Sequence, residues 1–349
     1  MNRWLRPLAP EFGCAVKLRE RLYRRGWITT RRLQRPVISV GNLSVGGTGK
    51  TPIVILIAEI LLKNGLRPSI LTRGYRRQSR GAMVIEPGDD RQVDARQFGD
   101  EGALMGRKLP RVPILISANR FHSGIQAEER FGVNVHILDD GFQHWALARD
   151  VDLVVIDSTQ LPSKDALLPA GRLREPISAL RRASGIILTR TELADPRPAE
   201  QLAHEANPSS PLFHSTTELT QLIEAASGKS HHPSFFNRKT VFAFCGLGNA
   251  GSFFASLRRW NFSLAGEKAF PDHHVYSRFD ISEIGRVAAG SGAEACVTTE
   301  KDFMNLPPAA GDQSPLPIFY CTIRAQIREE TEFEEMLLMA ARYGKEQNL

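Results

Sequence analysis

The strongest constraint on this chain is a glycine-rich stretch at residues 41–52, which reads GNLSVGGTGKTP. A short apolar run at residues 37–40 precedes it, and an apolar stretch of helical length follows at residues 52–64. A strand, a glycine turn and a helix in this order form a phosphate-binding loop (P-loop), in which backbone N–H groups point at phosphate oxygens. The pattern therefore predicts a nucleotide-binding strand–loop–helix unit.

Two side chains at the end of this loop carry its expected chemistry. Lys50 is expected to reach the β- and γ-phosphates, and the Thr51 hydroxyl is expected to bind Mg²⁺. Pro52 suits the first helical turn, where no backbone N–H is needed. The residues expected to hold the phosphates are Gly46, Gly47, Thr48, Gly49, Lys50 and Thr51.

The loop departs from the common pattern at Ser44, where a glycine is usual. Its GGTGKT core resembles the deviant P-loops of the ParA and MinD ATPases, which carry a signature lysine where this chain has Val45. A ParA/MinD-like or metallochaperone-like nucleotide switch is therefore an alternative function. A metallochaperone would be expected to have a Cys or His cluster near the loop, which the sequence does not show there.

Apolar runs of strand length recur along the chain without polar alternation. Such runs favour strands buried on both faces, as in a parallel sheet covered by helices. The fold class predicted is α/β, a P-loop NTPase-like parallel sheet flanked by helices, with a second, smaller α/β domain. The predicted strands lie at residues 37–40, 69–72, 113–117, 135–139, 151–157, 185–190, 240–244, 295–298 and 317–321. The predicted helices lie at residues 52–64, 120–130 and 250–260, with a last one from about Gln326.

Composition changes around residues 195–238, where Pro, Ser and His become frequent. This change predicts a domain boundary. We expect a basic amphipathic N-terminal arm at 1–36, a P-loop nucleotide-binding domain at 37–225 and a smaller C-terminal α/β domain at 226–349.

Positive charge is concentrated in the arm. The chain carries a net charge of +7, but residues 1–36 hold ten Lys or Arg, from Arg3 and Arg6 to Arg35, against Glu11 and Glu20. The arm is thus +8 and the remainder −1, which argues against a nucleic-acid-binding protein and suits an anionic membrane surface. A solvated helix face is the alternative. Four dispersed cysteines form no CxxC pair, and no apolar run is long enough to span a bilayer.

Paired carboxylates follow one of the buried runs. Asp139 and Asp140 come directly after residues 135–138, at the strand end where ligands bind in open α/β sheets. A P-loop enzyme needs a second acid to hold Mg²⁺, so these aspartates are metal-ligand candidates. An ordinary strand-to-turn Asp-Gly is the alternative.

Weaker patterns lie elsewhere. Asp100 and Glu101 occupy a helix start, where acids frequently serve as caps. Residues 171–176 offer arginines that could screen a phosphoryl group, and residues 270–274 place an acid beside two histidines. Residues 188–192 are faintly similar to a base-reading GTPase motif, with Glu192 in place of Asp.

Taken in order, these phrases resemble the tetraacyldisaccharide 4′-kinase family, the lipid A 4′-kinases. The matching phrases are GNLSVGGTGKTP, GDE, LDDGFQHWALARDVDLVVID, LLPAGRLREP, FPDHH and TTEKD, spanning residues 41–302. The resemblance implies two α/β lobes with a site between them, ATP and Mg²⁺, and phosphorylation of the 4′-hydroxyl of a tetraacylated glucosamine disaccharide 1-phosphate.

The same resemblance implies roles for individual residues. Asp100 matches the family's proposed catalytic base and His273 the histidine that pairs with it across the cleft, while Lys50 and Thr51 match the P-loop pair. The remaining assignments are Asp139 and Asp140 in the second acidic motif, Glu101 and Glu175 near the metal, and Arg120 and Arg174 near the site.

The resemblance also implies a cytoplasmic location, peripheral on the inner face of the inner membrane, with a glycolipid substrate. A helix over residues 12–25 would group Phe12, Val16, Leu22 and Tyr23 broadly on one side, flanked by basic residues. Such a helix can lie at the headgroup boundary of a membrane. Packing of this side against the body is the alternative.

Overall fold

A computed structural model describes residues 5, 7–74, 77, 79, 81–88, 94–237 and 239–346. Arg3 and Arg6 of the arm lie outside the described residues. Ten α-helices are described, α1 Leu8–Arg24, α2 Lys50–Lys63, α3 Ala95–Phe98, α4 Asp100–Lys108, α5 Arg120–Phe131, α6 Arg197–Ala206, α7 Ala250–Arg259, α8 Arg278–Gly290, α9 Glu300–Phe303 and α10 Glu330–Glu346.

Thirteen described strands form one sheet, in the order β11-β10-β12-β13-β8-β7-β6-β1-β5-β2-β4-β3, with β9 paired to β8. Their bounds are β1 Val37–Asn42, β2 Pro68–Thr72, β3 Met83–Ile85, β4 Ile114–Ile116, β5 Val135–Asp139, β6 Val151–Asp157, β7 Gly185–Thr189, β8 Leu212–Glu224, β9 Ser230–His231, β10 Thr240–Cys245, β11 Ser263–Ala269, β12 Ala295–Thr299 and β13 Ile318–Ile327. The predicted α/β class and the predicted parallel, helix-covered sheet are confirmed.

The long strand β8 joins two groups of parallel strands. We call β1–β7 with α2–α6 the first lobe, and β10–β12 with α7–α9 the second lobe. The first residues of β8 pair parallel with β7. From Ser215 to Glu224, the same strand pairs antiparallel with β13 on its other side. Because β13 is parallel to β12, the strands of the second lobe run opposite to those of the first, apart from the edge strand β3, which is antiparallel to β4.

This pairing places the carboxyl ends of the two strand groups face to face. The end of β7, at Thr189, pairs with Ser215 of β8. The end of β12, at Thr299, pairs with Cys321 of β13. Cys321 in turn pairs with Leu222 of β8. Ser215 and Leu222 are seven positions apart along β8, which corresponds to roughly 23 Å of extended chain. The gap between the two carboxyl edges is therefore the natural place for a ligand.

Helix α2 follows the P-loop and is buried on most of its surface. Its apolar side chains pack with those of β1, β5 and β6 in one core. Burial on several sides explains why this stretch shows little helical periodicity in sequence. The helix begins where the sequence predicted, within two residues.

The last helix returns to the first lobe. Phe333 and Leu337 of α10 are fully buried in the same core as β1 and α2, and the Phe333 ring packs edge-on against Phe213 of β8 at 4.9 Å. The sequence placed the start of this helix at about Gln326, which was wrong, because that residue lies in β13. The divisions at 36/37 and 225/226 stay predictions.

Helix α1 begins at Leu8 and packs on the first lobe through one side. Phe12, Val16 and Tyr23 are half-buried, and the Tyr23 ring stacks on Trp145 with centroids 6.2 Å apart. The side expected to face lipid is therefore largely the packing side. In the part of the chain that the structure describes, no helix is both long and apolar enough to cross a bilayer.

Truncating Phe333 tests the docking of α10. Phe333→Ala is expected to lower the free energy of unfolding by about 3–5 kcal/mol, because it leaves a cavity between α10 and β8. Met339→Ala in the same helix is the control, since that side chain is 57% exposed and its loss is expected to cost under about 0.5 kcal/mol. Urea unfolding measures both, and equal midpoints for the two variants would contradict the docking.

Candidate active site between the two lobes

A cavity of about 440 Å³ occupies the gap between the facing carboxyl edges. The P-loop forms one wall, residues at the end of β12 form the opposite wall, and the β8–β13 pair closes the back. Apolar and aromatic side chains dominate much of the rest. Its lining includes Gly46, Gly47, Thr48, Gly49, Lys50, Thr51, Glu101, Thr189, Thr217, Phe253, Trp260, Thr299, Lys301 and Ile323.

The P-loop is held open by hydrogen bonds at its base. Asn42 Nδ2 donates to Thr48 Oγ1 at 2.8 Å, and Thr189 Oγ1 donates to the Thr48 carbonyl at 2.8 Å. Gly46 and Gly49 have φ values of 114° and 84°, a backbone region that favours glycine. The loop thus has the shape expected of an anion-binding turn ahead of a helix N-terminus.

The second lobe approaches the P-loop closely. A Cβ atom on Gly248, which lies just before α7, would stand 2.5 Å from Gly47 N and 3.0 Å from Gly46 Cα. Beside this contact, Asn249 Nδ2 donates to Asp157 Oδ2 of the first lobe at 2.9 Å. The two lobes therefore meet directly at the loop predicted to hold phosphate.

The two predicted aspartates end β5 but have opposite environments. Asp139 is buried and accepts a hydrogen bond from Thr72 Oγ1 at 2.9 Å. Burial, together with the neighbouring charges of Glu101 and Asp140, raises its pKa to about 7. The ionised form of Asp139 is therefore disfavoured in the folded protein.

Asp140 is neutralised by two cations. Arg174 NH1 lies 2.7 Å from Asp140 Oδ2, and Lys50 Nζ lies 3.5 Å from Oδ1. Burial opposes ionisation, but Lys50 and Arg174 outweigh it and lower the pKa of Asp140 to about 2. The structure thus brings together Lys50, Asp140 and Arg174, three residues that the sequence analysis singled out.

Glu101 and Arg120 stand near this pair. Glu101, which lines the cavity, lies close enough to raise the pKa of Asp139. Arg120 is buried, and its NH1 donates to the Ala118 carbonyl at 3.2 Å. Among the described residues, its Nε has no hydrogen-bond partner. Burial lowers the pKa of Arg120, while the charges of Asp139 and Asp140 oppose that effect. A buried guanidinium with an unused donor is suited to holding an anion.

Asp100 and His273 form a hydrogen-bonded pair across the cleft. His273 Nδ1 lies 2.7 Å from Asp100 Oδ2, and Glu101 N donates to Asp100 Oδ1 at 2.8 Å. Burial would raise the pKa of Asp100, but His273 and Lys301 overcome it and lower the pKa to about 2. Because an ionised carboxylate only accepts hydrogen bonds, His273 Nδ1 is the donor. Asn305 Nδ2 adds a longer contact to Asp100 at 3.3 Å.

Lys301 is the residue that the sequence analysis missed. It follows β12 and places its Nζ 3.8 Å from Asp100, 3.6 Å from Glu101 and 3.7 Å from Asp272. Burial would lower its pKa, but these carboxylates raise it, so the ammonium stays charged. The signal was present in the phrase TTEKD, but a lysine after a strand is usually a surface residue.

Two other expectations lie away from this cluster. Glu175, a candidate for the metal site, is buried in an ion pair with Arg182 NH2 at 2.5 Å. Burial raises the pKa of Glu175, and Glu20 of α1 adds to that shift. Glu192, compared with a base-reading acid, accepts a hydrogen bond from Thr217 N at 3.1 Å. Both roles stay predictions.

The described residues contain no group of three or more His, Cys, Asp or Glu in an arrangement that holds a metal ion on its own. The local chemistry nevertheless suits a cation at Asp139, because burial and two neighbouring carboxylates make its ionised form unfavourable. Asn42 Oδ1 at the base of the P-loop is also buried without a partner. These donors fit a divalent cation that arrives together with phosphate oxygens.

Comparison with known proteins places the chain among kinases of one family. The model of the family described as tetraacyldisaccharide-1-P 4′-kinase (LpxK) matches residues 1–342. A tetraacyldisaccharide 4′-kinase of Desulfotalea psychrophila is 38% identical over 95% of this chain and 94% of its own length. One from Koribacter versatilis is 37% identical over 86% of this chain and 88% of its own length.

A solved structure shares the complete fold. The crystal structure of LpxK from Aquifex aeolicus in complex with ATP superposes with a TM-score of 0.76 at 32% identity. The match covers 96% of this chain and 98% of that chain.

The opposite environments of the two aspartates give opposite effects on stability. Ionised Asp139 destabilises the fold increasingly as pH rises from about 4 to about 7, since the folded state binds the proton more tightly than the unfolded chain. Asp139→Asn is therefore expected to raise the free energy of unfolding by about 1–3 kcal/mol at pH 8 and by less at pH 5, where only part of the destabilisation has developed. Urea unfolding without nucleotide or Mg²⁺ measures this difference.

Asp140→Asn is the matched control. Its ionised form is stabilised by Lys50 and Arg174, so this variant is expected to be less stable than the parent at both pH values. The loss is expected to be modest, because the Asp140 side chain is 35% exposed and solvent screens its charge. A stability loss for Asp139→Asn at pH 8 would contradict the charge balance described above.

Proposed function

Because the chain belongs to the tetraacyldisaccharide-1-P 4′-kinase family, we propose that it transfers the γ-phosphoryl group of ATP to the 4′-hydroxyl of a tetraacylated glucosamine disaccharide 1-phosphate. The observation that carries this proposal is the Asp100–His273 pair, which lies beside two residues of the cavity wall, Glu101 and Lys301. A carboxylate at this place supplies what a sugar hydroxyl needs to attack a phosphoryl group.

In the proposed reaction, the 4′-hydroxyl oxygen attacks the γ-phosphorus while the bond from that phosphorus to the β–γ bridging oxygen breaks. The electron pair of the broken bond stays on the ADP, and the hydroxyl proton goes to Asp100. The low pKa of Asp100 keeps the carboxylate ionised and ready to accept. His273 acts as a positioning residue, because its Nδ1–H fixes one carboxylate oxygen.

The P-loop is proposed to hold the triphosphate. Lys50 points into the cavity from the start of α2, where the helix N-terminus also favours anions. Lys50 Nζ, which lies 3.5 Å from Asp140, would then contact both the Asp140 carboxylate and the phosphates. Arg174 would continue to neutralise the Asp140 carboxylate. Arg120, with its free Nε, is the further cation placed near these acids.

A Mg²⁺ ion bound with the nucleotide would be held by Thr51 and Asp139, with Glu101 and Asp140 as further carboxylates nearby. When bound, Mg²⁺ neutralises phosphate charge and lowers the cost of ionising Asp139. The alternative of a ParA/MinD-like or metallochaperone-like switch gains no support from the matched family.

Replacing the proposed base tests this function. Asp100→Asn is expected to lower kcat by about 10²–10⁴-fold with KM for ATP nearly unchanged, because the amide cannot accept the hydroxyl proton. Transfer of labelled γ-phosphate from ATP to tetraacyldisaccharide 1-phosphate in mixed micelles measures it.

Asp94→Asn is the control, since Asp94 caps the short helix α3. Lys50→Ala is expected to abolish transfer. ATP hydrolysis by the parent protein without phosphorylation of the lipid would instead favour the nucleotide switch.

A glycolipid substrate requires contact with a membrane, and α1 offers a surface for it. With its packing side turned to the body, the helix exposes Leu18 at 57% and is followed by Trp27 at 73% and Ile28 at 37%. Basic side chains flank them, among them Lys17, Arg21 and Arg25, which are exposed. We infer that this exposed side, rather than the side predicted from sequence, lies at an anionic bilayer on the cytoplasmic face of the inner membrane.

The double variant Leu18→Ser, Trp27→Ser tests the membrane surface. Each side chain is expected to contribute roughly 1–3 kcal/mol when buried in the headgroup boundary, so the variant should bind anionic vesicles at least about 10-fold more weakly. Met339→Ser removes an equally exposed apolar side chain from α10 and is expected to leave vesicle binding unchanged. Equal flotation of both variants would overturn the assignment.

A further inference from the structure

Lys301 occupies an unusual position for a lysine. It belongs to the second lobe, at the start of α9, and its side chain is only 17% exposed. Two of its three carboxylate neighbours, Asp100 and Glu101, come from the first lobe, and the third, Asp272, comes from the second. The ammonium therefore lies at the meeting point of the lobes, on the wall of the cavity that faces the P-loop.

The distances leave the donors of this ammonium available. All three carboxylates stand 3.6–3.8 Å from Nζ, outside the usual range of about 2.7–3.2 Å for a direct hydrogen bond. The charge of these carboxylates holds Lys301 in place, and none of the three forms a short hydrogen bond with its N–H groups. An anion entering the cavity can take these donors without first breaking a tight ion pair.

We propose that Lys301 contacts the γ-phosphoryl group during transfer and acts as a second phosphate-binding lysine supplied from the opposite lobe. The inference rests on the proposed kinase function. The ParA and MinD ATPases, whose P-loops the GGTGKT core resembles, carry an extra lysine at the loop position where this chain has Val45. In this chain, the Lys301 ammonium would supply the corresponding positive charge from the second lobe.

The chemistry requires no proton transfer by Lys301. As the bond between the sugar oxygen and the γ-phosphorus forms and the bond to the bridging oxygen breaks, negative charge is spread over the oxygens of the phosphoryl group. The N–H groups of Lys301 would attract that charge, while the hydroxyl proton goes to Asp100 and the electron pair to ADP. Because Lys301 also faces Asp100, it would keep the base and the phosphoryl group close to each other.

A purely structural bridge is the competing role, and the same two helices provide a control for it. Lys108 of α4 forms an ion pair with Glu300 of α9 at 2.9 Å. Lys108→Met therefore removes a lysine that joins the lobes, with the same change of side chain as Lys301→Met. A bridging role predicts similar defects in both variants.

Two measurements test the proposal. In the phosphate-transfer assay, Lys301→Met is expected to lower kcat by about 10²–10³-fold, Lys301→Arg to recover part of that loss, and Lys108→Met to change kcat by less than about 5-fold. In direct titrations, Lys301→Met is expected to bind ADP like the parent but ADP with aluminium fluoride, a mimic of the transferring phosphoryl group, at least about 10-fold more weakly.

The titrations need no lipid, so they test Lys301 even if the lipid is not the substrate. A parent protein that binds ADP with aluminium fluoride but phosphorylates no lipid would refute the proposed function alone. Unchanged affinity of Lys301→Met for that complex, or equal kcat losses in Lys301→Met and Lys108→Met, would refute the role of Lys301.

Discussion

The antiparallel pairing of β8 with β13 is the constraint on which the site depends. If the second lobe continued the sheet in parallel, the carboxyl ends of all strands would lie along one edge. Because β13 runs against β8, the carboxyl ends of β10 and β12 instead point toward those of β1, β5 and β7. Loops at carboxyl ends carry most of the chemistry in α/β proteins, so this reversal brings two sets of such loops to one cavity.

Charge is distributed unevenly across that cavity. The first lobe supplies a P-loop lysine but also several acids, and Asp139 remains poorly compensated among them. The second lobe supplies His273 and Lys301, both directed at Asp100. The two lobes therefore complement each other electrostatically, and the acidic side of the cleft has capacity for a cation. Such a site sacrifices stability for function, as buried unpaired charge generally does.

Much of the first lobe could be predicted from sequence because its strands are buried on both faces. Residues 135–139 and 151–157 are mostly apolar and do not alternate with polar residues, and both strands were predicted with their observed bounds. The P-loop was predicted from its glycines and from Lys50 and Thr51. Strand β8 could not be, since residues 212–224 are rich in polar side chains and only part of the strand lies in the core. The same reason led to the error at Gln326, where the partner strand β13 is partly exposed.

For the site, sequence order could not indicate distance. Asp100 and His273 are separated by 173 residues, and only the family resemblance linked them before the structure showed their hydrogen bond. Lys301 was overlooked because the three carboxylates that surround its ammonium come from two segments far away in the sequence. Likewise, Phe12, Val16 and Tyr23 form an apolar side of α1 in sequence, but what covers that side depends on Trp145 and its neighbours, far along the chain.

The return of α10 to the first lobe has a consequence for how the protein is made. The core around β1 and α2 includes Phe333 and Leu337, so it is incomplete until these two residues have left the ribosome. A prematurely terminated chain would contain the entire P-loop and yet lack the helix that seals its core. Such a fragment would expose apolar surface and be a target for proteolysis. The integrity of the first lobe thus depends on synthesis having continued through α10.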